Sequence, residues 1–163
     1  DLLDSPSLLQ TAERLLMAPL DEQARLEIEL AARQVAAATA MIPLPMIDVL
    51  AALAVNMRML RRIAAIYGGR AGTLGSWRLM RAVAGHLLAT GAVAMGDDLL
   101  GSVVGGGAIG KVSRRLGEGI VNGALTARVG IAAMDVCRPM PFVTLKRPRV
   151  TSLVKRALSG LFS

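Results

Sequence analysis

The stretch GSVVGGGAIGKVSRRLGEG, residues 101–119, carries the residue types of a phosphate-binding loop. Such a loop reads GxxxxGK followed by Ser or Thr: glycine N–H groups cradle the phosphates, the lysine reaches them, and the hydroxyl holds magnesium. Gly105, Gly110 and Lys111 fill their slots, but Val112 stands where the hydroxyl belongs and Ser113 arrives one residue late. Further on, GIAAMD sets four apolar residues before Asp135, in the manner of a Walker B strand.

The remaining chemistry-bearing residues are few. Asp97 and Asp98 form an acid pair, but no histidine or third carboxylate lies near them in sequence, so capping the next helix is the simpler role. Asp48 falls in the first turn after Pro45, where a carboxylate complements a helix N-terminus; the sharper alternative is an intramembrane or catalytic acid. His86, the only histidine, sits in AVAGHLLAT on an apolar helix, and no Ser-His-Asp or Cys-His arrangement can be assembled around it. The lone Cys137 excludes an internal disulfide and a cysteine zinc cluster. No catalytic, cofactor or metal residue is expected.

Charge is more informative. The net charge of +7 divides unevenly: residues 1–50 carry eight acids and three arginines, whereas residues 51–163 carry four acids and sixteen basic residues. A basic body attracts anionic partners. Candidate contacts to an anionic surface or partner are Arg58, Arg61 and Arg62 at a helix end, Arg114 and Arg115, and Arg138, Lys146, Arg147 and Arg149 around a proline-broken tail. With 2% aromatic residues to stack on bases, nucleic acid is not an expected partner.

These residues are positioned by helices. The chain is 53% hydrophobic, mostly Ala, Leu, Val, Ile and Met, with 17 glycines and a mean hydropathy of +0.51. That composition suits closely packed helices. Residues 1–20 read as a lead-in broken by Pro6 and Pro19, with Asp1 opening the chain as in a fragment of a longer protein. Residues 21–163 then read as one helical domain with a basic tail. Helices are expected over about 21–41, 46–67, 74–95 and 110–137, with a short one over 151–161 after an extended RPMPFVTLKRPRV. IPLP at 42–45 separates the first two, and Gly68-Gly69 ends the second.

This organisation argues against the phosphate loop. Lys111, Arg114, Arg115, Glu118, Asn122 and Thr126 fall within an arc of about 120° on one helix, which runs directly into the supposed Walker B segment. No βαβ unit is available. The glycines suit close helix contacts instead, as the GxxxG pairs Gly101–Gly105 and Gly119–Gly123. Residues 35–57 hold one charge and are long enough to cross a bilayer, but two prolines and Asp48 near mid-span favour a buried core hairpin. The final helix groups Leu153, Val154, Ala157, Leu158 and Leu161 on one side. It either lies on an anionic bilayer or packs on the domain.

IPLPMIDVLAALAVNMRMLRRIAAIYGGRAG, GAVAMGDDLLG and RLGEGIVNGALTARVGIAAMDVCRPMPF together resemble the C-terminal domain of YcjF-type proteins, over about residues 20–150. These are bacterial inner-membrane proteins of unknown biochemical function. The resemblance implies two transmembrane helices upstream, related domains attached to small GTPases, and a neighbouring gene for a P-loop NTPase of the YcjX type. It also implies a span predicted in some members near 42–60, and it brings no catalytic residues to carry over.

The expectation is an all-α bundle of about six helices packed through Gly- and Ala-rich faces. Its expected role is that of a non-enzymatic interaction or regulatory module, without cofactor, at the cytoplasmic face of a bacterial inner membrane. Its expected partners are a P-loop NTPase, the anionic membrane surface and a second copy of itself. The alternative is a membrane-inserting or lipid-binding helical module.

Overall fold

The computed structural model describes residues 5–41, 45–69, 73–89 and 108–160. The described residues form α1 (Ser5–Ala12), a π-helical turn (Glu13–Met17), α2 (Ala18–Met41), α3 (Pro45–Ile66), α4 (Thr73–Ala89), α5 (Ala108–Cys137) and α6 (Val150–Ser159). The protein is an all-α bundle, as its composition requires, and no strand occurs among the described residues.

The longest helix is also the axis. α5, 30 residues long, packs against α2, α3, α4 and α6. Its glycines set how closely α2 approaches. A Cβ on Gly119 would stand 2.6 Å from the carbonyl oxygen of Ala36, and one on Gly123 would stand 3.0 Å from that of Ala32. Only glycine tolerates the first of these distances. The GxxxG pair therefore works as expected, by backbone-to-backbone contact. Its partner Gly101–Gly105 lies outside the described residues.

Contacts also set direction. Residues 119 and 123 of α5 meet residues 36 and 32 of α2, so these helices run antiparallel. Thr39 meets Asp48, and Glu27 meets Arg62, so α2 and α3 are antiparallel as well. α3 and α5 are then parallel, with Asn56 donating to Thr126. Ile28, Leu60, Ile63, Met134 and Leu153 are fully buried where the helices converge. Each such side chain contributes about 1.5–3 kcal/mol by leaving water.

Local signals acted largely where expected. α3 begins on Pro45, whose missing N–H costs nothing in a first turn. It ends where Gly68 takes φ +86° and Gly69 N–H donates to Ala64 O at 2.7 Å, a left-handed glycine stop. α4 is described to Ala89, and its expected continuation lies beyond the described residues.

The first 20 residues differ from expectation. They are helical from Ser5 onward, and α2 begins at Ala18 rather than Asp21. Pro6 sits in the first turn of α1, where proline is tolerated. Pro19 lies within a continuous helical run, directly after the π turn. A proline ring collides with the carbonyl four residues earlier, and the wider turn gives that ring room. The stretch also supplies Glu13 and Met17 to the interior.

α6 settles the two readings of the final helix toward packing. Leu153 and Ala157 are 0% and 2% exposed, against α2 and α5, so the described part of the apolar stripe completes the core, while Leu161 lies outside the described residues.

Candidate functional site

The near phosphate loop is not assembled as a loop. Lys111, Val112 and Ser113 lie within helix α5, while Gly105 is outside the described residues. Asp135 sits on the same helix, not on a neighbouring strand, and its carboxylate accepts a hydrogen bond from Arg147. Asp97 and Asp98 lie outside the described residues, and of His86 the backbone alone is described, on α4. No group of three or more metal-ligating side chains occurs among the described residues.

Asp48 is in the first turn of α3, as its spacing from Pro45 required. Its carboxylate turns inward. Oδ1 accepts from Thr39 Oγ1 at 2.7 Å, and Oδ2 lies 3.4 Å from Asn122 Nδ2, which also donates to Thr39 Oγ1 at 3.0 Å. Three helices are joined through one acid.

The nine basic candidates do not form one surface. Arg58 and Arg62 flank a groove of about 100 Å³ between α2 and α3, floored by Leu30, Ala31, Val55 and Met59. Arg62 is tied across it to Glu27 at 2.8 Å, and Arg61 is exposed on the same stretch. Arg114 pairs with Glu118 at 3.2 Å, beside Arg115. These two lie at the other end of the bundle, about 36 Å along α5 from Arg138. Lys146, Arg147 and Arg149 are exposed on the segment before α6, where Arg25 fixes the chain by donating to Lys146 O at 3.0 Å.

Arg138 must be corrected. It is 8% exposed and cannot meet an external anion. Its Nε donates to Asp21 Oδ1 at 3.0 Å and its Nη2 to Glu13 Oε1 at 3.0 Å, with Phe142 stacked on the guanidinium. Glu13 also accepts from the backbone N–H groups of Val143 and Thr144, and Tyr67 donates to Asp21 at 2.7 Å. Burial pushes the Glu13 carboxyl up, but the Thr144 and Val143 N–H groups and Arg138 outweigh it and hold the pKa at about 2. Burial likewise works against the Arg138 charge, yet the two carboxylates hold its pKa above the ordinary value. Burial and the bond to Asp21 push the Tyr67 hydroxyl upward.

Sequence reasoning missed this network altogether. Glu13 and Asp21 share one helical run, but Tyr67 and Arg138 come from two other segments, and no motif spacing links the three. The one available signal was two acids eight residues apart on a run of helix, and the prolines concealed it.

One helical stretch among the described residues, Arg114–Cys137, is long and apolar enough to cross a membrane by length and composition. Half of its most apolar window is buried inside the bundle, which fits a core helix equally well. The hairpin expected to be buried at 35–57 divides instead. Val35, Ala36 and Thr39 of α2 are buried, whereas Ile47, Val49, Leu50 and Leu53 of α3 are exposed.

A family model described as a domain of unknown function, DUF697, matches residues 3–163. A UPF0283 membrane protein of Rhizobium meliloti is 51% identical over 92% of the chain, which covers 42% of that protein. Another, of Rhizobium etli, is 49% identical over 94% of the chain and 43% of the relative. A third, of Agrobacterium fabrum, is 48% identical over 92% of the chain and 42% of the relative. The chain thus spans less than half the length of these relatives. No solved structure matches it.

Proposed function

The chain belongs to the DUF697 domain family, and from that premise we propose that it is a non-enzymatic interaction module of a bacterial inner-membrane protein, working at the cytoplasmic face. Its task in this reading is to couple a P-loop NTPase partner to the membrane. Relatives named as membrane proteins support a membrane-associated role, and the resemblance to YcjF-type proteins motivates the choice of partner.

The observation that carries the proposal is the buried tie between Arg138 and both Glu13 and Asp21. It clamps the N-terminal helical run to the segment that presents Lys146, Arg147 and Arg149. In this reading the tie holds the N-terminal run and the basic segment in a fixed relation. The acids near the basic segment serve packing and pairing, as Asp135 does with Arg147.

Capture of the intact protein from native membranes tests this. A P-loop NTPase is expected to be enriched, and to be lost when Lys146, Arg147 and Arg149 are changed together to Gln. Equal recovery with parent and triple variant would sink the coupling role. Turnover of a substrate by the purified chain would overturn the non-enzymatic reading.

The alternative, a membrane-inserting module, is favoured by one feature, the exposed apolar face of α3.

A further inference from the structure

The first half of α3 is built with its polarity reversed. Within Ile47–Asn56 the charged residue is Asp48, and it faces the interior, held by Thr39 and Asn122. Asn56 also turns inward, donating to Ala52 O at 2.8 Å and to Thr126 Oγ1 at 3.4 Å. The outer surface is left to Ile47, Val49, Leu50 and Leu53, exposed by 47%, 64%, 61% and 51%. A soluble bundle normally places these two sets the other way round.

The shape of this face points to its occupant. At 100° per residue, Ile47, Val49, Leu50, Leu53 and Ala54 cover an arc of about 160°. The seam filled by a single coiled-coil partner helix is narrower. Arg58, Arg61 and Arg62 follow on the same helix, about 16–23 Å from Ile47 along the axis. On the helical wheel Arg61 falls within the apolar arc and Arg58 and Arg62 lie about 20° and 60° beyond its edge, so the cations border the apolar patch chiefly by following it along the axis. An apolar face bordered by cations is what an interfacial helix presents: chains below, phosphates at the rim. A second copy of the chain is a poorer fit, because residues 51–163 carry sixteen basic residues against four acids and would repel their duplicate.

We infer that α3 lies along the headgroup–acyl boundary of an anionic leaflet, with Leu50 and Leu53 seated among the acyl chains and Arg58, Arg61 and Arg62 meeting lipid phosphates. The inference rests on the membrane-associated reading and specifies which surface of the bundle makes the contact.

The test uses the 163-residue chain with Cys137→Ala and a single environment-sensitive label, at Leu50→Cys on α3 or at Lys155→Cys on α6. Vesicles contain phosphatidylethanolamine and phosphatidylglycerol at about 7:3, with and without bromine on the acyl chains. Circular dichroism checks that each variant is folded. The label at position 50 is expected to shift to the blue and to be quenched several-fold by the brominated chains, while the label at 155 does neither. Leu50→Asp with Leu53→Asp is expected to lower vesicle partitioning at least tenfold. If folded protein binds the vesicles but the label at 50 stays in water, this placement of α3 is wrong and membrane association survives. Absence of binding to either vesicle overturns the placement of α3, whereas the membrane-associated reading falls only if the intact protein also fails to fractionate with membranes. Protection of position 50 without lipid, rising with protein concentration, shows that a second copy covers the face and also overturns the inference.

Discussion

Arg138 Nε lies 3.0 Å from Asp21 Oδ1, although 117 residues separate the two in the chain. Both side chains are 2% exposed. Removing the cation would strand Asp21 and Glu13 as uncompensated buried carboxylates. Arg138→Met is expected to destabilise the fold by about 3–5 kcal/mol, measured by denaturant unfolding. A change within 1 kcal/mol would mean that the network carries little of the fold.

The same network sets a pH limit. Glu13 titrates at about 2 in the folded chain, below the ordinary 4.5. A depressed folded pKa gives stability that is complete above the unfolded value and lost as pH falls through the folded one. Stability from this group should therefore hold down to about pH 4.5 and decline toward pH 2. Glu13→Gln is expected to lower stability at neutral pH and to lack this part of the decline. Thermal melts of both proteins across that range decide it, and parallel curves would refute it.

Asp48 should matter to folding rather than to turnover. Asp48→Asn keeps an acceptor for Thr39 but loses the charge-assisted bond, at a cost of about 1 kcal/mol. Asp48→Ala leaves the Thr39 hydroxyl without this acceptor and should cost about 1–3 kcal/mol. Melting temperatures that follow this order support the inward-facing role, and a parental melt for the alanine variant contradicts it.

The contact of α5 with α2 is equally exposed to test. Gly119→Ala would drive a Cβ to 2.6 Å from the backbone oxygen of Ala36, which is not the yielding end of a flexible side chain. About 1–3 kcal/mol of destabilisation is expected from the forced separation of the helices. An unchanged denaturation midpoint would show that α2 can give way.

Lys111 should not serve a nucleotide. It lies within α5, and Val112 offers no hydroxyl to magnesium. Lys111→Ala is expected to leave both fold and nucleotide affinity unchanged, as read by calorimetry. Binding of ATP or GTP that disappears with this substitution would revive the phosphate site.

The sequence by itself determined what depends on neighbours in the chain. Ala- and Leu-rich runs made helices, Pro45 opened α3, Gly68 closed it, and the prolines after Cys137 kept the tail out of helix. Each follows from backbone sterics within a few residues, so local reading was enough. Even Asp48 was placed correctly in a first turn, though its three-helix bond was not visible. Tertiary structure decided the rest. In the sequence Arg138 looks like Lys146 or Arg147, one cation among several beside prolines. Folding alone brings Glu13 and Asp21 to it and makes the charge internal. The same holds for the two apolar faces. Both α3 and α6 carry an apolar face, yet Leu153 is fully buried and Leu50 is 61% exposed. Periodicity identifies the face of a helix that avoids water, but the partner that covers it comes from residues far away in the chain. No local spacing encodes that choice, because it is made by packing among whole helices.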